Sequence, residues 1–160
     1  MSDPKPRART DAQLGRSVLA EFSVPSEPGN ERLAMETVAE AIGELDVRGE
    51  NLERLKTAVA EATMNAMEHG NKYRAEVPVE VMVLLEDQDL MVRITDRGSG
   101  PPPSKAGDAP DLEAKLEGMQ TPRGWGLFLI KSMVDEMSIT GDDGHHTIEL
   151  VVRLGAEGGK

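Results

Sequence analysis

Glu61 and Asn65 sit four residues apart in the stretch Glu61-Ala62-Thr63-Met64-Asn65-Ala66-Met67-Glu68-His69-Gly70, inside an apolar pattern of helical period. Side chains at i and i+4 lie one above the other on a helix, so this carboxylate and this carboxamide converge on one small volume. There one group can activate a nucleophile while the other holds a metal ion. A solvated helix edge presents the same spacing. Asn, however, is a poor helix former that prefers caps and turns, and its place between Met64 and Ala66 goes against that preference.

Two glycine motifs follow. Asp96 closes an alternating run and shares the parity of Leu90, Val92 and Ile94, so it points inward at the rim of an apolar layer. A carboxylate there needs hydrogen-bond donors, and an adenine amino group with a water beside it would serve. Gly98 and Gly100 after it permit close backbone approach. Taken alone, Asp-x-Gly-x-Gly also fits a solvent-facing Asp opening a glycine turn. Arg123-Gly124-Trp125-Gly126-Leu127 is read as a glycine loop preceding a helix, whose free N–H groups suit phosphate. By itself it fits an ordinary loop too. No P-loop pattern occurs, and the glycines do not follow a strand as in a Rossmann turn.

The elements that must position these groups are legible in outline. Residues 1–16 read as a flexible tail, 17–155 as a single domain with a lid at about 97–122, and 156–160 as a frayed C-terminus. Val18–Val24 suits a strand. Leu33, Val38, Ala41, Ile42 and Leu45 mark a first helix, and Leu52, Leu55, Val59, Ala62 and Ala66 a second, with Asn51 as N-cap and Gly70 at the C-terminal end. Val79 to Glu86 and Leu90 to Asp96 alternate as two strands about the short polar loop Asp87-Gln88-Asp89. The long segment after Arg97 carries one possible helical turn near Leu112–Leu116. A third helix is expected over Trp125–Glu136, and two last strands over Met137–Thr140 and Thr147–Leu154. The order places helices on one face of a mixed, mostly antiparallel sheet: an α/β (α+β) two-layer sandwich.

Composition narrows the function classes. The formal net charge is −11 and no Lys/Arg cluster occurs outside the N-terminal tail, which speaks against direct nucleic-acid binding or an anionic membrane. There is no cysteine, which excludes disulfides, thiol catalysis and Cys-based zinc sites. No apolar run approaches the roughly 20 residues that span a bilayer, so a soluble cytoplasmic protein is expected. Aromatics are only 2%, so the core must come from Val, Leu, Ile, Met and Ala.

In order and spacing the three motifs resemble the ATP-binding domain shared by gyrase, sensor histidine kinases and certain chaperones, the GHKL or Bergerat fold. The first stretch resembles its N box, Asp96-Arg97-Gly98-Ser99-Gly100 its first glycine box, and Arg123–Leu127 its second. The likeness covers roughly Val18 to Leu154. The form of the N box, and the second glycine box running on to Met133-Val134-Asp135-Glu136, resemble the anti-sigma-factor serine kinases in particular. Met1 to Glu50 contains no histidine, so a sensor kinase's phosphoacceptor is not expected there. The proline-rich lid start Pro101-Pro102-Pro103 departs from the best-known members.

The resemblance implies ATP and Mg²⁺, with Asn65 coordinating the metal, Glu61 as general base toward a serine hydroxyl, and Asp96 on the adenine amino group. It implies that Gly98, Gly100, Gly124 and Gly126, with Leu127, shape the lid and cradle phosphates and that Arg123 approaches the γ-phosphate. His69 and Asn71 are secondary candidates beside the nucleotide. The implied function is a protein-serine kinase that phosphorylates a STAS-type anti-anti-sigma protein and sequesters a sigma factor by partner switching, commonly as a homodimer. Two alternatives stay open: an ATP-gated module that grips a partner without phosphorylating it, and a scaffold whose glycines serve turns only.

Overall fold

The computed structural model describes residues 9–11, 16–43, 45, 47, 49–98, 122–141 and 144–154. The possible turn near Leu112–Leu116, Gly100 and most of the expected lid lie outside them, as do the side chains of Arg123 and Trp125. Six strands form one antiparallel sheet in the order β1-β2-β3-β4-β6-β5. They are β1 (Arg9–Asp11), β2 (Arg16–Val24), β3 (Val79–Glu86), β4 (Asp89–Asp96), β5 (Glu136–Gly141) and β6 (His146–Arg153). The short β1 pairs with the start of β2, inside the stretch that composition reads as a tail.

Alternation decides which strand residues meet the helices. Val79, Val81 and Val83 of β3 and Leu90, Val92 and Ile94 of β4 are buried in the main core. A register shift between Val18 and Ala20 interrupts the β2–β3 ladder. It explains why residues of one parity divide: Ala20, Phe22 and Val24 join the main core, while Val18 packs with Leu84, Met91 and Val151 in a second cluster. The β3–β4 turn is tight, with Asp87 left-handed at φ 56° and Gln88 accepting the Leu154 N–H at 2.7 Å.

Helices α1 (Asn30–Ala41), α2 (Gly49–Asn65) and α3 (Pro122–Met133) contribute to the same core. Among the described residues Phe22 is the only aromatic side chain in it; Leu55, Val59, Ala62, Met67, Leu127 and Ile130 supply most of the helical side. Several expected boundaries move; α3 ends at Met133 rather than Glu136, which instead opens β5. Asn51 is not an N-cap: α2 begins at Gly49, and the Glu50–Arg54 pair at 2.8 Å already spans its first turn. α3 begins at Pro122 rather than Trp125, so the second glycine motif is the opening of the helix and not a loop before it. Proline is favoured in a helix's first turn, where its missing N–H costs no hydrogen bond.

At its C-terminal end α2 runs without a break into a π-helical turn, Ala66–Gly70, closed by the Asn71 N–H on the Ala66 carbonyl at 2.8 Å. Such turns are rare and concentrate at functional sites. Lys72 and Tyr73 then follow in left-handed conformation at φ 56° and 54°, which is unfavourable for side-chain-bearing residues. Among the described residues no helix is long and apolar enough to cross a membrane.

Candidate functional site

Glu61 and Asn65 lie on the last turns of α2, and α3 crosses directly over them. A Cβ added at Gly126 would lie 2.8 Å from Glu61 Oε2 and 2.9 Å from Asn65 Nδ2. Only glycine allows α3 this close at the start of its second turn, which brings the N-terminal part of a helix to a carboxylate and a carboxamide. The next residue, Leu127, is buried in the core and anchors that turn.

The two side chains differ in environment. Glu61 is half-buried, and its carboxyl holds its proton above the ordinary carboxylate range, first through burial and then through the charges of Glu68 and Glu31. Asn65 is only 4% exposed, and among the described residues its Nδ2 meets no hydrogen-bond acceptor. A buried amide donor without a partner is costly, and native structures keep few of them. Magnesium takes oxygen ligands, and Asn65 Oδ1 is an oxygen donor beside the helix N-terminus, so the pair fits a metal-bound phosphate chain.

Asp96 closes the other side. It is 5% exposed, as its parity on β4 predicts, and its Oδ1 accepts the Gly98 N–H at 2.7 Å. The carboxylate lies against Gly70: a Cβ there would sit 2.5 Å from Oδ2 and 2.6 Å from Oδ1. A Cβ at Gly98 would in turn lie 2.8 Å from the Gly70 carbonyl oxygen. Gly70 therefore does more than end a helix; with Gly98 it makes room for the carboxylate.

The remaining candidates separate. Asn71 is wholly buried and committed to the protein. Its Nδ2 donates to Ser26 Oγ (3.0 Å) and faces the carbonyls of Val77 (3.1 Å) and Pro78 (3.2 Å), while its Oδ1 accepts the Arg97 N–H at 2.8 Å. That side chain ties β2, β3 and the end of β4 to the π-helical turn; it orients the chain after Asp96 and has no group left for a ligand. His69 stands on the π-helical turn with Nε2 3.8 Å from Glu68 Oε1. Gly124 lies in the first turn of α3, and Gly100 lies outside the described residues.

One buried titratable residue escaped the motifs. His146, 5% exposed, opens β6 directly opposite Asp96, with Nδ1 3.1 Å from Asp96 Oδ1. No local pattern marks it, because the β4–β6 register alone makes the pair. The opposite, outer face of the sheet carries a shallow concavity of about 780 Å³ lined by Ser23, Glu80, Arg93, Thr147 and Glu149, and no motif residue reaches it. Two pairs of its polar groups bond each other, Arg93 with Glu149 at 2.6 Å and Thr95 with Thr147 at 2.8 Å.

Residues 24–152 match the histidine kinase-like ATPase domain family. The anti-sigma F factor of Bacillus subtilis (strain 168) is 34% identical over 119 residues, covering 74% of this chain and 79% of that protein. The anti-sigma F factor of Clostridium acetobutylicum is 30% identical over 124 residues, covering 74% and 80%. Among solved structures, the RsbU and RsbW domains of a Mycobacterium tuberculosis protein superpose with a TM-score of 0.59 at 20% identity, over 83% of this chain and 32% of that one. The SiaB–SiaC complex of Pseudomonas aeruginosa also gives 0.59, at 13% identity, over 88% and 92%. Both structures share the fold.

Proposed function

We propose that this chain, which belongs to the histidine kinase-like ATPase domain family, is an ATP-dependent protein-serine kinase and anti-sigma factor that works by partner switching. Its substrate in this reading is a STAS-type anti-anti-sigma protein, and the partner it sequesters is a sigma factor. The likeness to anti-sigma F factors supports the regulatory half. The chemical half rests on one observation: Gly126 brings the N-terminal part of α3 onto Glu61 and Asn65 together.

In this reading ATP enters with its purine at Asp96 and its phosphates at the N-terminus of α3. Asp96, kept on the rim by Gly70 and Gly98, accepts the adenine amino hydrogen. Asn65 contributes Oδ1 to the magnesium that accompanies the phosphates; when bound, that ion offsets their charge. Glu61, four residues earlier on the same helix face, meets the incoming serine. It takes the hydroxyl proton as the serine oxygen bonds to the γ-phosphorus and the bond to the β,γ-bridging oxygen breaks, releasing ADP. Burial raises the proton affinity of Glu61, which suits a base that must capture a proton.

Incubating the protein with γ-labelled ATP, Mg²⁺ and STAS-type partners from its host tests the proposal. A phosphoserine on the partner is expected, with Glu61→Ala lowering its rate by about a thousandfold at unchanged ATP affinity. Equal transfer by Glu61→Ala would remove that residue from the chemistry. Partner capture that requires ATP but never yields phosphoprotein would replace the kinase with a nucleotide-gated clamp.

A further inference from the structure

The contact between Asp96 and His146 has no part in the reaction just described, yet it lies at the point where the purine is recognised. Both side chains are about 5% exposed, on neighbouring strands and in direct cross-strand register. A buried carboxylate and an imidazole nitrogen 3.1 Å apart cannot face each other through lone pairs on both atoms, so Nδ1 carries the proton. Its N–H is off the ideal line to Oδ1, so the contact is electrostatic more than an aligned hydrogen bond. The Gly98 N–H falls on the same oxygen at 2.7 Å. Both positive contacts therefore converge on Oδ1, in the space that Gly70 leaves beside the carboxylate. Among the described residues no donor meets Oδ2.

We propose that His146 is a positioning residue for base selection: it anchors Asp96 by Oδ1 and leaves Oδ2 to the amino group of adenine. The inference deepens the reading of Asp96 as the adenine acceptor and rests on it. Two consequences follow from removing the imidazole. The carboxylate keeps a single donor and can rotate. A misdirected Asp96 is a poor acceptor for an amino group. It also ceases to reject a purine that carries a carbonyl at the same position, since the repulsion between that oxygen and the carboxylate is lost.

Paired titrations with ATP and inosine triphosphate read this directly, because the two differ at the purine 6-position, amino in one and carbonyl in the other. The 160-residue chain and its variants His146→Phe, His146→Leu and His146→Asn are compared by calorimetry, with thermal melts as the check on folding. Wild type is expected to prefer ATP. Phe and Leu keep an apolar filling but lose the donor, and are expected to weaken ATP about tenfold while leaving inosine triphosphate within about threefold, in line with a hydrogen bond to a charged group. Asn places an N–H near the position of Nδ1 and is expected to restore most of the preference. A merely structural role would weaken both nucleotides together. A wild type that prefers ATP, with any folded donor-less variant that prefers it equally, overturns the inference alone. The inference also fails if Asn behaves like Phe and Leu. A wild type that binds neither nucleotide overturns the nucleotide-site reading itself.

Discussion

Asn65, inside the first motif, and Asn71, the residue just after it, are both buried, and the structure uses them in opposite ways. Asn71 sits where β2, β3, β4 and the π-helical turn meet, and every polar atom of its side chain has a partner within the protein. Asn65 sits under α3 with its Nδ2 buried and unmatched among the described residues. The same residue type thus closes a network at one position and leaves one open at the other. A satisfied buried amide stabilises a fold, whereas an unsatisfied one lowers stability and persists where a ligand can complete it. The region around Asn71 holds the frame, and in the proposed reading the region around Asn65 receives the substrate.

The comparison is sharpest where frame and site share an atom. Gly70→Ala is expected to be the most damaging single change, because its methyl group would overlap the Asp96 carboxylate. A loss of about 3 kcal/mol in urea unfolding, together with loss of ATP binding, is the expected outcome. Stable protein with normal ATP affinity would mean that Asp96 can move aside.

Next in size is the contrast between the two asparagines. Asn71→Ala removes the only acceptor for the Arg97 N–H and the donor shared by Ser26, Val77 and Pro78, and should cost about 2 kcal/mol. Asn65→Ala deletes a group that has no donor contact to lose, and should stay within about 1 kcal/mol of wild type while Mg²⁺-dependent ATP binding falls sharply. Equal destabilisation by both would erase the distinction between frame and site.

The smallest effect concerns Glu61. Its carboxyl binds the proton more tightly folded than unfolded, where the value is 4.5. The folded state therefore gains from protonation, and that gain is present at low pH. It disappears as pH rises from about 4.5 through the raised folded value, so stability falls across that window. Glu61→Gln is expected to flatten this limb and to be slightly more stable than wild type at neutral pH. Urea midpoints taken across the window would show it, and an unchanged slope would place the strain elsewhere.

Much of this was legible in sequence because it depends on local period. The inward parity of Asp96, the apolar stripe of α2 and the strand alternation of β3 and β4 are properties of residues a few positions apart. The motif order led to the family, and residues 24–152 match it. Other features were not legible. The start of α3 moved to Pro122 because proline suits a first helical turn, which turned an expected phosphate loop into a helix opening. The π-helical turn has no reliable local signature. Asn71, placed beside the nucleotide by resemblance, proved to be fully occupied by the protein.

The sequence by itself determined the two-layer architecture, the acidic cysteine-free character and the alignment of Glu61 with Asn65, because hydrophobic period and helical pitch act over short distances. Only the tertiary structure decided that Gly126 reaches that pair, that Gly70 gives way to Asp96, and that His146 stands beside it. These are contacts between elements far apart in the chain. Their register follows from packing the whole sheet and its helices at once, and no local pattern records it.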